Sequence, residues 1–126
     1  MFSNLKIRAL LLSLTFLFLF SGSVYGDDLK DGVDAYERKD YKTAHRLWLP
    51  LAEQGNVTAQ YNLGHMYVNG EGVPQEYVLA HLWWDICGFS GDKDCVKSRN
   101  LVEERMSKQQ IEEAQEMASN WKPLSK

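Results

Sequence analysis

The sequence predicts an all-α fold, a solenoid of about three helix-turn-helix units, on three observations. First, the middle of the chain repeats itself: a shift of 36 residues lays Tyr41 on Tyr77, Ala44 on Ala80, His45 on His81, Trp48 on Trp84, Gly55 on Gly91 and Ala59 on Cys95. A fixed offset of this size is the signature of stacked repeats. Second, apolar residues recur at helical spacing within each unit, Ala59, Leu63, Met66 and Tyr67 on one stretch and Ala80, Trp83, Trp84 and Cys87 on the next. Third, these stretches are separated by Asn69-Gly70-Glu71-Gly72-Val73-Pro74, where glycines supply positive φ and proline stops the preceding helix.

Taken in order, the chain opens with Lys6 and Arg8, an apolar run from Leu10 to Phe20, and the small-residue segment Ser21-Gly22-Ser23-Val24-Tyr25-Gly26. A basic start, an apolar run too short for a permanent span and a small residue at the cleavage point describe a secretory signal peptide, residues 1–26, cut after Gly26. A retained membrane anchor is the competing reading. The remainder, 27–126, has room for one small repeat domain, with units at about 29–55, 56–91 and 92–121.

In the first unit, Leu29 to Arg38 reads as a helix, Lys39-Asp40 as a tight turn, and Tyr41 to Gln54 as a second helix with Ala44, Leu47, Trp48, Leu51 and Ala52 inward and a kink at Pro50. In the second unit the turn is four residues longer, since Gly32 precedes Ala44 by 12 residues and Gly64 precedes Ala80 by 16. Gly64, inside a helix where glycine costs about 1 kcal/mol against alanine, marks close approach of a neighbour. The third pair reads as Lys93 to Met106 and Gln109 to Trp121. Ser107 is placed to cap the last helix, whose inward face is Ile111, Ala114, Met117, Ala118 and Trp121.

The residues carry a resemblance. Ala59-Gln60-Tyr61-Asn62-Leu63-Gly64-His65-Met66-Tyr67, Gly70-Glu71-Gly72-Val73-Pro74, Ala80-His81-Leu82-Trp83-Trp84 and Gly91-Asp92 together resemble a Sel1-like repeat, a relative of the tetratricopeptide repeat with a longer inter-helix turn. The segments Arg99–Met106 and Ile111–Trp121 are similar to the terminal unit of many bacterial members. The resemblance implies a right-handed α/α solenoid. Cys87 and Cys95 stand where the repeat pattern expects alanine. Their spacing is that of the cysteine-rich Sel1-like proteins of Helicobacter, in which such pairs are disulfides, and two cysteines in an exported chain invite pairing. Two buried thiols are the alternative.

Chemistry-bearing constellations are sparse. Without Lys6 and Arg8 the 14 basic residues become 12 against 17 acidic ones, a net charge near −5, which argues against nucleic acid as a partner. His45 and His81 are repeat equivalents and His65 stands apart, so no metal site is expected. Asp92 and Asp94 lack the later oxygens of a calcium loop and read as a helix start. Ser119-Asn120-Trp121-Lys122 fits a serine-x-x-lysine pattern, but neither companion motif of the penicillin-recognising enzymes is present. Trp48, Trp83, Trp84 and Trp121 fit helix faces better than a sugar-binding stripe. No catalytic residue and no cofactor is therefore assigned.

By analogy with tetratricopeptide packing, the first helix of each unit lines the concave face. In the second unit that face would present Thr58, Tyr61, His65, Val68 and Asn69 to a partner, with Tyr61 and Val68 equally suited to packing. The resemblance implies an exported protein-protein interaction module, a periplasmic adaptor or a toxin-neutralising immunity-type protein. It would be periplasmic or secreted, bind another protein or a peptide, and not insert in the membrane after signal cleavage. The alternative function is a cell-wall or β-lactam-binding protein with weak hydrolase activity, as in some cysteine-rich relatives.

Overall fold

Four helix starts in this chain are set by short polar side chains. Residues 27–125 are described by a computed structural model, and among them six helices and no strand occur. The helices are α1 (27–37), α2 (Tyr41–Glu53), α3 (Val57–Asn69), α4 (Tyr77–Phe89), α5 (Lys93–Glu103) and α6 (Lys108–Asn120). The signal peptide expected over residues 1–26 lies outside the described residues. Asp40, Asn56 and Asp92 each accept a hydrogen bond from the backbone N–H three residues on, and so cap α2, α3 and α5. Ser107 and Gln110 form a reciprocal capping box on α6. Gly70, at φ 68°, ends α3 in the left-handed conformation.

The helices alternate between two layers. Helices α2, α4 and α6 form one, α1, α3 and α5 the other, and each successive pair from α2 to α5 packs together, with α6 against α4. Helix α4 is central and buries Val78, Ala80, His81, Leu82, Trp83, Trp84, Asp85, Ile86 and Cys87. Two apolar clusters result. The larger joins Ala35, Trp48, Leu51, Leu63, Met66, Leu82, Trp83, Ile86 and Ala118. The smaller surrounds Ala80, Trp84, Cys87, Cys95 and Val102.

Two repeated contacts explain why the units stack. In the second unit the Trp84 indole lies over Gly64, where any β-carbon would overlap the ring, and its Nε1 donates to the Tyr61 carbonyl at 3.1 Å. In the first unit Trp48 covers Gly32 in the same way, and its Nε1 donates to the Leu29 carbonyl at 3.1 Å. Each glycine thus lets a tryptophan from the second helix sit on the first, the close approach that Gly64 predicted. Between units, His45 Nε2 meets the Tyr67 hydroxyl at 3.1 Å, and its repeat equivalent His81 Nε2 meets Glu103 Oε1 at 2.8 Å. Arg99 adds a 2.9 Å bond to buried Asp85.

The longer turn of the second unit has a docking role of its own. Gly72, at φ 72°, leaves no room for a side chain because a β-carbon there would come within 2.7–2.9 Å of the backbone of Tyr41 and Lys42. Next to it, both carboxylate oxygens of Glu71 accept from the Tyr36 hydroxyl, at 2.8 and 2.9 Å. The turn therefore clamps the corner between α1 and α2.

Three expectations need correcting. Helix α5 ends at Glu103, not Met106: Arg105 and Met106 bond three residues back, to Val102 and Glu103, which tightens the chain out of the α-helix. Helix α6 starts at Lys108, one residue early, where Ser107 caps it. Met117 is not inward but 38% exposed, because α6 buries the i, i+4 stripe Ala114–Ala118 and Met117 falls on its margin. Helix α2 continues through Pro50 to Glu53. After α6, Trp121 packs on the larger cluster and the Leu124 N–H donates to the Glu53 carbonyl at 2.8 Å, so the tail returns to the end of α2.

Candidate functional site

The layer made by α1, α3 and α5 carries two clefts in equivalent repeat positions. Between α3 and α5 lies a cleft of about 360 Å³, floored by Trp84 and Val102, walled by His65 and Val68 on one side and Ser98 and Leu101 on the other, and rimmed by Asn69, Glu104 and Arg105. Between α1 and α3 lies one of about 260 Å³, lined by Val33, Tyr36, Trp48, Asn62 and His65. The correspondence follows from the repeat. Trp48 and Trp84 are floor residues one repeat apart, Asn62 and Ser98 are equivalent wall residues, and His65 and Leu101 are too.

His65 belongs to both clefts and stands on the ridge between them. Tyr61 meets it edge-on with ring centroids 4.6 Å apart, and it meets Trp84 edge-on at 5.1 Å. Partial burial lowers its pKa below the usual histidine value, opposed by the nearby Glu71 carboxylate, which raises it. The imidazole is accordingly neutral at pH 7 and offers one donor and one acceptor. The clefts thus combine apolar floors with a few polar groups at their edges, the ordinary composition of a binding pocket. Val33 and Leu101, 37% and 55% exposed, add apolar surface to this same face.

The five residues singled out from sequence divide. His65, Val68 and Asn69 line the α3/α5 cleft. Thr58 is exposed in the first turn of α3 and lines neither cleft, while Tyr61 packs against the smaller apolar cluster and gives its carbonyl to Trp84. Sequence reasoning missed the opposite wall, Ser98, Leu101, Glu104 and Arg105. The offset of 36 residues pointed to them, since it maps Asn62, His65, Val68 and Asn69 onto those four positions.

Other candidate chemistry is placed as follows. Cys87 and Cys95 are bonded to each other as a disulfide, with Cα atoms 5.9 Å apart. The Ser119 hydroxyl donates to the Glu116 carbonyl within α6 at 2.9 Å. Among the described residues no group of three or more His, Cys, Asp or Glu side chains is arranged to hold a metal ion, and no helix is long and apolar enough to cross a membrane.

No family model and no curated protein matches the chain. Among solved structures, the chain is similar to a protective antigen present in uropathogenic Escherichia coli strains and displaying an SLR, or Sel1-like repeat, fold. The TM-score is 0.73 at 25% sequence identity, over 77% of this chain and 22% of that one. This chain therefore spans less than a quarter of that protein's length. Its fold is the Sel1-like repeat fold, an all-α solenoid.

Proposed function

We propose that the chain is an exported interaction module that seats a short segment of a protein or peptide partner across α3. The observation that carries this reading is the pair of repeat-equivalent clefts that share His65. A partner segment would place one apolar side chain in each cleft and meet the imidazole between them. Apolar anchors in small pockets, with neutral polar groups to fix their direction, are how short segments gain both affinity and specificity. With a buried disulfide and no long apolar helix among the described residues, the protein suits an oxidising compartment outside the cytoplasm. Within that role, an adaptor joining envelope proteins and a toxin-neutralising protein use the same surface.

The module is proposed as a binder and not an enzyme, on the strength of the two apolar-floored clefts one repeat apart. The test is a crosslinking capture from the cell envelope with the exported form, residues 27–126, set against a His65→Ala/Leu101→Arg variant. One protein held by the parent chain and lost with the variant, at unchanged thermal stability, is the expected result. Capture of peptidoglycan, or turnover of a labelled β-lactam abolished by a point substitution, would overturn the reading.

A further inference from the structure

Helix α5 forms the outer wall of the α3/α5 cleft, yet little apolar burial holds it there. Of its eleven residues only Cys95 and Val102 are buried. Its other ties to α4 are the polar pairs Asp85–Arg99 and His81–Glu103, and the fit of Val96 against Gly88. No residue of α5 enters the larger apolar cluster, whereas α6, later in the chain, reaches it through Ala118. The smaller cluster, to which α5 does belong, has Cys87 and Cys95 at its centre beside Trp84 and Val102, the floor of the cleft. Both cysteines are fully buried.

We infer that the Cys87–Cys95 disulfide is the switch that completes this binding cleft: in the dithiol form α1–α4 and α6 stay folded while α5 swings open and the cleft loses its wall. The inference rests on the reading of the cleft as the partner site. Closing the bridge joins the two sulfurs and releases two protons and two electrons. These pass to a disulfide-bearing oxidant, which is itself reduced to the dithiol. The site is thus silent in a thiol-reducing compartment and assembled in an oxidising one, so the chain does not engage a partner before export. Once α5 is seated, a reductant reaches the buried sulfurs only through its local opening, which keeps the assembled state in place.

Hydrogen exchange followed by mass spectrometry on residues 27–126 reads the switch directly. Three samples are compared: the oxidised protein, the same protein reduced with dithiothreitol, and a Cys87→Ala/Cys95→Ala variant, which cannot form the bridge. Opening a loop this short is expected to speed exchange across Lys93–Glu103 roughly fifty- to hundredfold, while α2, α3, α4 and α6 change by less than about threefold. In parallel, random dodecapeptides displayed on phage are selected on the oxidised protein. Those whose binding is lost with Leu101→Arg are expected to bind the reduced protein at least about tenfold more weakly, a loss of roughly 1.4 kcal/mol or more.

Unchanged exchange in α5 on reduction overturns the switch and leaves the cleft reading standing. Loss of protection in every helix together also overturns it, because the bridge then supports the whole fold. Equal peptide binding by both redox forms, with α5 open, does the same. If no selected peptide depends on Leu101 or His65, the cleft reading itself fails and takes the binding half of the inference with it, whatever α5 does.

Discussion

The Trp84 indole rests on the bare α-carbon of Gly64 and donates from Nε1 to the Tyr61 carbonyl one turn earlier, at 3.1 Å. Helix propensity alone favours alanine over glycine at such a site by about 1 kcal/mol, so the geometry and the propensity predict opposite signs. Gly64→Ala is expected to destabilise by about 1–3 kcal/mol net, because the methyl group pushes the ring off its seat and breaks its hydrogen bond. Gly32→Ala, under Trp48, should behave alike. Urea unfolding decides it, and a raised midpoint in either variant would show that the indole can shift at no cost.

Tyr36 titrates late. Burial first, then its hydrogen bonds to Glu71 and the charge of that carboxylate, push its phenol up from 10.0 to about 12. The folded state holds this proton more tightly than the unfolded chain does. Its contribution to stability is therefore complete below pH 10 and disappears as the pH rises through 12. An ultraviolet titration should show the highest-titrating tyrosine absent in Tyr36→Phe. In Glu71→Gln it should move down, yet stay above 10 because burial persists. Loss of a phenol titrating at the ordinary 10.0 in Tyr36→Phe, with no shift in Glu71→Gln, would mean that the turn does not clamp the α1–α2 corner in solution.

Asp85 is buried and Arg99 only partly so. Removing Arg99 leaves a carboxylate without its cation, a loss of about 2–3 kcal/mol, below the 3–5 kcal/mol typical of fully buried pairs because water reaches the guanidinium site. The Asp85→Ala/Arg99→Ala double variant should cost less than the sum of the single changes, with a coupling of about 1–2 kcal/mol. Additive costs in a double-mutant cycle would assign the effect of Arg99 to packing of its alkyl stem.

Truncation after Asn120 removes Trp121 from the larger cluster and the Leu124–Glu53 hydrogen bond. A loss of about 2 kcal/mol, read as a fall of roughly 10 °C in Tm for a domain of this size, is expected from calorimetry. A fall of less than a degree would make the returning tail an ornament of the surface.

Much of this architecture is written in local patterns. The offset that pairs Trp48 with Trp84, the turn at Gly70 and Gly72, the Ser107 cap and the Cys87–Cys95 pairing each depend on neighbours close in sequence or one repeat away. The cleft was only half legible because its second wall is in α5, a helix with little apolar periodicity, so its facing residues left no stripe to follow. Tyr61 illustrates a different difficulty. Its register on α3 is right for the inner face, but the edge-on contact with His65 and the carbonyl bond to Trp84 turn it into part of the packing. Equivalence of His45 and His81 was visible, and the same offset lays Tyr67 on Glu103, but these two differ in kind, and only the fold shows that each meets its histidine.

Those two histidine contacts work as a plug and a socket, and the second unit carries one of each: Tyr67 receives His45 from before, and His81 reaches into the unit after. A tandem copy of residues 56–91 would set the first copy's His81 against the second copy's Tyr67, the same pair of side chains that already joins α2 to α3. The joint is therefore self-compatible. Gene duplication could lengthen this protein by whole units without inventing a new interface, each addition setting one more cleft along the inner face.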